Sequence, residues 1–255
     1  MQAFVDDLIA QLLTLQINLY ACCERLRAQT DAEALHDLRI AVRKLRSLLR
    51  PLRGLLDCSG LELAAQALGH ISGPLRDAEV LLAQLHGRDP AAQRVRQQHL
   101  QAGYRQLLRS PQLGALFSAL DAWVRACRQA QAAGQLRGAG KHSRKRLAKN
   151  LQALLLALAT PGADRHRLRI VLKRLRYGAQ AYPQRVALTH RQMLALSAAQ
   201  SALGDWHDCQ QWLLCAEQQH DLQPLVGTWQ DALLVAERRS EQALQQLQAA
   251  LLAGP

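Results

Sequence analysis

The sequence predicts an all-α protein, and three observations favour this fold class. Leu, Ala, Gln and Arg, which suit helices, dominate the chain, whereas aromatic residues make up 4% of it. Alternation of apolar and polar residues, which a half-buried β-strand would show, is hard to find. Apolar residues instead recur three and four positions apart. With 255 residues the chain can bury a sizeable core, as one large domain or as two smaller ones.

The first two helices are predicted from these spacings and from helix-starting residues. Apolar residues recur on one face from Ala3 to about Arg27, which predicts an amphipathic helix. Thr30 and Glu33 have the spacing of a capping box, which would start the second helix. Pro51 falls inside that helix, where it removes one hydrogen bond, so we expect it to bend the axis.

Proline and glycine punctuate the middle of the chain. A third helix is predicted from Leu61 to Leu85, with a possible interruption at Gly73-Pro74. A turn at Gly87 to Pro90 precedes a fourth helix from about Ala91 to Leu108. Ser110-Pro111 opens another helix that continues to about Ala133.

The last part of the chain is predicted to hold four more helices. Gly134 to Gly140 resembles a linker, and Thr160-Pro161-Gly162 is a strong stop signal. The helices predicted around these breaks run from Lys141 to Leu158, His166 to about Tyr182, Thr189 to about Glu217, and Leu225 to Leu252.

The second helix is predicted to carry a row of positive charge, which we call the first basic stripe. Its members recur at spacings of three and four and so project from one side of a helix: His36, Arg39, Arg43, Arg46, Arg50 and Arg53. An apolar ridge keeps the same spacing one residue out of phase: Leu38, Val42, Leu45, Leu49, Leu52 and Leu56. The ridge can enter a core while the stripe runs along its rim.

A shift of 130 residues reveals an internal repeat. It places the first stripe on a second basic stripe, with His36 on His166, Arg39 on Arg169, Arg43 on Lys173 and Arg46 on Arg176. The same shift, give or take one, lays residues 73–77 on residues 204–208. We therefore predict two halves, about 1–110 and 135–255, joined by a connecting segment at 111–140. Packing about a pseudo-twofold axis would bring the stripes together as a charged channel.

The charge balance points to a polyanionic partner. The formal charge is +12, and from Ala122 to Gly204 half of the 32 lysines and arginines accompany a single acidic residue, Asp164. The planar fork of arginine suits phosphate oxygens, so rows rich in arginine favour a phosphate ligand. Binding of this kind depends strongly on salt because counterions are released.

Other interpretations of the stripes stay open. An isolated run of charge is usually a solvated face, but matched stripes in both halves favour a site. A nonspecific nucleic-acid-binding module is the main alternative, although the stripes alternate with leucine and valine rather than with aromatic residues on which bases stack. A phosphohydrolase or phosphotransferase is less favoured because P-loops, serine nucleophile elbows and dinucleotide fingerprints are absent, and we expect no enzyme activity.

No metal, cofactor or disulfide framework is expected. Asp205, His207 and Asp208 have ligand chemistry, but His207 and Asp208 are helical neighbours that point about 100° apart. The six cysteines form no C-x-x-C pair and no zinc-finger spacing, which fits a reducing cytoplasm. Asp6 and Asp7 stand where a signal peptide would need basic residues, and no apolar run approaches the ~20 residues of a membrane span. We expect a soluble protein that is not exported.

The pattern H-x-x-R-x-x-x-R/K-x-x-R, present twice in a basic helical chain, resembles the CHAD domain, the conserved histidine α-helical domain. The resemblance covers essentially the whole chain, including Leu75-Arg76-Asp77 and its partner Trp206-His207-Asp208. It implies a single domain over residues 1–255, made of two antiparallel four-helix units related by a pseudo-twofold axis. It also implies a basic central pore that binds inorganic polyphosphate, and a cytoplasmic location that includes polyphosphate granules.

The resemblance carries over to individual residues by position. It implies that the pore is lined by His36, Arg39, Arg43 and Arg46, with Arg50 further along the stripe, and by His166, Arg169, Lys173 and Arg176. Positions at the edge would be Lys44 and Arg174, with additions from the preceding helix at Lys145, Arg146 and Lys149. The second half has His207 where the first has Arg76, so the two halves need not bind the ligand equally tightly. The E-x-E-x-K signature of the triphosphate-tunnel domain often fused to this family is absent, so its hydrolase activity is not implied.

Overall fold

The computed structural model describes residues 2–85 and 90–253, apart from the side chain of Gln2. These residues form ten α-helices and two short 3-10 helices, with no β-strand in the described ranges. The predicted all-α fold class is therefore confirmed. Of the turn predicted at Gly87 to Pro90, residues 87–89 lie outside the described residues, and Pro90 begins a helix.

The chain divides into two compact units, which we call unit 1 (Met1–Ser143) and unit 2 (Arg144–Pro255). The helices up to this boundary are α1 (Gln2–Ala28), α2 (Ala34–Leu49), α3 (Ser59–Ile71), α4 (Gly73–Gln84), α5 (Pro90–Leu108) and α6 (Pro111–Ala132). The others are α7 (Ala139–Ala159), whose first residues belong to unit 1, α8 (Arg165–Ala181), α9 (His190–Gln218) and α10 (Val226–Leu252). Among the described residues, no helix combines the length and apolar character needed to cross a bilayer.

Unit 1 is built around α1, α2, α3 and α6. Helix α1 packs against α2, α5 and α6, and α3 packs against α2, α4 and α6. The predicted apolar ridge of α2 faces this core, since Leu38, Val42, Leu45 and Leu49 are buried. The stripe therefore lies beside the core, as the spacing predicted. Helix α6 lies within unit 1, and the predicted division into halves at 1–110 and 135–255 stays a prediction.

The start of α2 differs from the predicted capping box. Glu33 is the N-cap residue, and its side chain makes no capping hydrogen bond. The backbone N–H of Glu33 donates instead to Oδ1 of Asp31 at 3.0 Å. Arg25 of α1 donates to the carboxylates of Asp31 and Asp37 at 2.6 Å and 2.8 Å. Asp31 thus accepts the backbone N–H that Thr30 would accept in a capping box, and Thr30 donates its own hydroxyl to Asp31 at 3.2 Å.

The end of α2 corrects a second prediction. The helix does not bend at Pro51 but ends at Leu49, and the chain continues as a 3-10 helix over Arg50–Leu52. Pro51 supplies no N–H for the helical ladder, so the tighter turn takes over at this point. Gly54 follows with a φ of 85°, a left-handed conformation that turns the chain away.

Two breaks predicted from Gly and Pro are confirmed. Helix α3 ends at Ile71 and α4 starts at Gly73, with Pro74 in its first turn, where no donor is required. Helix α6 starts at Pro111, and the hydroxyl of Ser110 accepts the N–H of Leu113.

Unit 2 has one core shared by four helices. It contains Leu154 of α7, Leu168, Leu172 and Leu175 of α8, Leu196, Ala199 and Leu203 of α9, and Leu247 of α10. Helix α8 is capped by Asp164, whose carboxylate accepts the N–H groups of His166 at 3.0 Å and Arg167 at 3.1 Å. Helix α9 begins with a full capping box between Thr189 and Gln192. It continues for 29 residues without a break.

The order of helices repeats along the chain. Helices α7, α8, α9 and α10 follow one another as do α1, α2, the α3–α4 pair and α5. In this comparison α6 has no counterpart. The α3–α4 break has none either, because α9 has Gly204-Asp205 where Gly73-Pro74 divides α3 from α4. The pseudo-twofold relation of the halves stays a prediction.

Candidate phosphate-binding site

The first stripe lies on α2 at the border between core and solvent. His36, Arg39, Arg43 and Arg46 are partly buried, and Lys44 one step away is exposed. The leucine ridge fixes this orientation because a rotation of the helix would pull buried side chains into water. The helix therefore holds three guanidinium groups at intervals of about one turn, or ~5 Å along its axis.

Arg39 is bound into the protein as well as placed on the stripe. Its Nη1 atom donates to the carbonyl oxygen of Gly69 and to the hydroxyl of buried Ser72, both at 3.0 Å. These acceptors lie at the C-terminal end of α3, where carbonyl groups lack helical partners. A positive charge there also complements the helix dipole. Arg39 thus connects α2 to the α3–α4 break.

A groove of ≈ 680 Å³ runs between the stripe and α3. Its α2 wall contains Arg39, Arg43 and Arg46, and its α3 wall contains Gln66 and His70. Both walls offer nitrogen donors, so the groove suits a ligand that accepts hydrogen bonds. Gln66 and His70 are exposed and available for such contacts.

Helix α4 adds a further cation to the stripe of unit 1. Burial lowers the pKa of His36, and the charges of Arg76 and Arg43 lower it further. Burial likewise lowers the pKa of Arg39, followed in size by the effect of Arg43, while Asp77 opposes this shift. Burial is the main cause of both shifts, and the positive charges of the neighbouring arginines add to it.

Arg76 is held in place by a chain of polar contacts. Its Nη1 donates to Glu79 at 2.8 Å, and the other carboxylate oxygen of Glu79 accepts the hydroxyl of Tyr104 at 2.5 Å. Both members of the ion pair are largely shielded from solvent. Packing of α4 on α5 therefore fixes where this guanidinium group lies.

The last predicted member of the first stripe, Arg53, does not lie on α2. Arg53 lies outside any helix and places its guanidinium group on Glu62 of α3, with Nε and Nη2 within 2.5–2.7 Å of Oε2. Arg50 lies in the 3-10 helix and is partly buried. The prediction that all six basic side chains follow one helical row is wrong at Arg53, because the helical path ends at Pro51 and Leu52.

In unit 2 the second stripe lies on α8, above buried Leu168, Leu172 and Leu175. Arg169, Lys173 and Arg176 are partly buried. His166 and Arg174 are exposed. The guanidinium carbon of Arg176 lies 5.5 Å from the ring centroid of Tyr177.

His207 of α9 faces this stripe. Its ring centroid lies 5.9 Å from that of His166, with the two rings tilted by 54°. Burial lowers the pKa of His207 to about 4, and the charges of Arg169, Lys173 and His166 act in the same direction. Unit 2 therefore repeats the arrangement of unit 1: a stripe on one helix and a nitrogen group from another helix later in the chain.

The three basic residues predicted on α7 are tied less closely to the second stripe. Lys145, Arg146 and Lys149 are exposed on α7, which packs into the core of unit 2 through Leu147 and Leu154. They add positive charge to the surface of unit 2, and their contact with ligand stays a prediction.

Outside the stripes, the tryptophans and the candidate metal ligands remain to be placed. Trp123, Trp206 and Trp229 are buried and pack inside the protein. In the described part of the chain, no group of three or more His, Cys, Asp or Glu residues could hold a metal ion.

Sequence reasoning missed the residues that other helices bring to the stripes. Gln66, His70, Arg76 and His207 face α2 or α8 only after the helices pack. Arg76 and His207 had a signal, since the repeat aligns them, but repetition alone does not show which way a side chain points.

Comparison with known proteins agrees with this geometry. The sequence model of the CHAD domain matches residues 11–217. A crystal structure of the CHAD domain from the plant Ricinus communis is 25% identical in sequence, with a TM-score of 0.70, over 98% of this chain and 92% of that one. PptA from Streptomyces chartreusis shares the fold, with a TM-score of 0.59 and 19% identity over 94% of this chain and 99% of that one. None of the curated proteins compared matches the chain. The match over most of the chain shows that this protein belongs to the CHAD domain family.

Proposed function

We propose that this protein binds inorganic polyphosphate through the basic stripes of α2 and α8. The observation that carries the proposal is the crowding of cationic groups in both units. Arg39, Arg43 and Arg46 line one groove in unit 1, and the charges of Arg169 and Lys173 act on the ring of His207 in unit 2. A multivalent anion relieves this repulsion, whereas a neutral ligand cannot. Membership of the CHAD family supports the same ligand, in line with the resemblance that the motifs carry.

The spacing of the cations favours a linear polyanion over a single phosphate. Arg39, Arg43 and Arg46 recur about once per turn, at ~5 Å intervals, beside the groove that α3 closes on one side. A chain of phosphates can contact successive guanidinium groups without any one of them moving far. Arginine also donates in pairs to phosphate oxygens, which gives each contact a defined geometry.

We further propose that the site holds its ligand without cleaving it. Guanidinium groups stabilise charge but supply neither a nucleophile nor a proton acceptor at neutral pH. Release of orthophosphate from polyphosphate in the presence of magnesium, abolished by His36→Gln or His166→Gln, would contradict this part of the proposal. Binding with no such release is the expected result.

Binding is tested with fluorescently end-labelled polyphosphate at low salt. We expect Arg43→Gln with Lys173→Gln to weaken binding by about tenfold or more, because each change removes a charge-assisted contact. The matched control is Arg125→Gln with Arg238→Gln, which removes the same net charge from exposed positions on α6 and α10. Equal loss in both variants would show that net charge alone drives binding and would contradict a site on the stripes.

Competition separates polyphosphate from nucleic acid. Single-stranded RNA and duplex DNA are added at equal phosphate concentration to the labelled complex. We expect weak displacement, because the stripes alternate with leucine and valine rather than with aromatic residues on which bases stack. Displacement as effective as that by unlabelled polyphosphate would favour the nucleic-acid-binding module instead.

A further inference from the structure

The two stripes have different partners on helices later in the chain. The charge of Arg76 of α4 lowers the pKa of His36 in unit 1. In unit 2, His207 of α9 lies beside His166. Arg76 and His207 occupy corresponding places in the internal repeat. A permanently charged group in one unit is thus replaced by a titratable group in the other.

Burial of the ring is the first reason that His207 is neutral when no ligand is present, and the charges around it are the second. The cationic or titratable groups that act on its ring come from α8: Arg169, Lys173 and His166. On its own helix, Asp208 and Asp205 lie close to the next residue, Cys209. Helix α10, which also packs on α9, contributes Glu237, which pairs with Arg165 at 3.7 Å. With its pKa lowered to about 4, the ring carries no charge at neutral pH.

A bound phosphate chain would change the charge around the His207 ring. Negative oxygens beside Arg169 and Lys173 would offset the charges that now disfavour protonation of the ring. A protonated imidazole donates from both nitrogens, so His207 would then carry a positive charge, as Arg76 does in unit 1, and donate to phosphate. The two rings, 5.9 Å apart, are close enough to contact one phosphate chain.

We propose that His207 is a phosphate-binding residue that takes up a proton when the polyanion binds. This inference rests on the proposed polyphosphate binding and concerns His207 specifically. Unit 2 would therefore bind polyphosphate more tightly in mildly acidic solution, because proton uptake and binding promote each other.

The experiment counts protons and measures affinity together. Calorimetric titrations with polyphosphate in two buffers of different ionisation enthalpy, from pH 5.5 to 8 at constant ionic strength, give the protons taken up per chain bound. We expect His207→Arg to take up fewer protons than the wild type and to bind more tightly at pH 8. The reciprocal Arg76→His is expected to take up more protons and to bind less tightly at pH 8.

Nuclear magnetic resonance of the His207 ring gives an independent measure in the wild-type protein. We expect its pKa to rise when polyphosphate is added. Unchanged proton uptake in His207→Arg, or a His207 pKa that polyphosphate does not move, would overturn this inference while polyphosphate binding stands. Absence of binding at every pH would instead overturn the proposed function. Circular dichroism checks the fold, and the ring titration decides the question if the variants unfold.

Discussion

At the scale of single residues, Arg39 shows that a basic side chain on the stripe can serve the fold. Its guanidinium group donates to Gly69 and Ser72 at the C-terminal end of α3. Replacing it with an acidic residue would test binding and folding at once, and loss of binding would not separate the two. Arg43 is the better probe of ligand contact, because it lines the groove on the same helix.

Arg39→Gln is expected to lower the free energy of unfolding by about 1–3 kcal/mol, because it removes charge-assisted hydrogen bonds and leaves Ser72 buried without that donor. Urea unfolding followed by circular dichroism measures the change. Lys44→Gln is the control, since Lys44 is exposed one turn further along α2, and we expect a change below about 0.5 kcal/mol. Equal effects in the two variants would show that Arg39 is not a structural contact.

His207 also gives the stability of the protein a pH dependence. Its pKa is about 4 in the folded protein, below its ordinary value of 6.5, so between these values the unfolded chain binds the proton that the folded chain does not. The free energy of unfolding therefore falls as the pH drops from about 6.5 towards 4. The slope from this ring is at most about 1.4 kcal/mol per pH unit, because the unfolded chain binds at most one more proton at this residue.

His207→Gln removes this contribution, so its stability is expected to decline less than that of the wild type over the same range. Thermal unfolding at pH 7 and pH 5 measures the difference, and comparing the two proteins cancels carboxylates that titrate in both. Parallel decline in wild type and variant would mean that His207 protonates freely in the folded state.

At the scale of helices, α8 and α9 differ in how tightly their glycines are packed. A Cβ atom at Gly204 of α9 would have no atom of another residue within 4 Å. A Cβ atom at Gly178 of α8 would lie 2.8 Å from Cδ2 of Leu147, which is buried. The first glycine is open to substitution, and the second allows α7 and α8 to approach.

Gly204→Ala is expected to raise the free energy of unfolding by about 0.5–1 kcal/mol, since alanine loses less backbone entropy within a helix. Gly178→Ala gains the same helical preference, but Leu147 must move to make room. We therefore expect Gly178→Ala to be less stable than Gly204→Ala in chemical denaturation. The reverse order would show that the α7–α8 contact is looser than described.

The sequence predicted where most helices lie but not how each of them ends. Apolar spacing and the Pro-Gly breaks located α3, α4 and α6 to within a few residues. At Pro51 the same reasoning was wrong, because a missing hydrogen bond can bend a helix or end it. In the structure the helix ends, and Gly54 then turns the chain in a left-handed conformation. That conformation depends on the turn that Gly54 makes with the following segment.

At the scale of the whole molecule, the stripes were predictable and their partners were not. Spacing along one helix fixes which residues share a face, so Arg43 and Lys173 could be found from the sequence. Gln66, His70 and Arg76 reach the groove or stripe of α2 from α3 and α4, and their positions depend on how those helices pack. A site assembled from several helices is determined by the core beneath it, which a one-dimensional pattern does not describe.

The out-of-phase leucine ridge of α2 limits how this helix can change over evolutionary time. Inserting or deleting one residue rotates everything beyond it by ~100°, which would turn Arg43 or Arg46 towards the core and Leu45 towards water. Substitutions on the outer face alter charge without disturbing the buried leucines. Ligand preference can thus diversify among descendants through point mutations, whereas the length of the segment between His36 and Arg46 is fixed by the core.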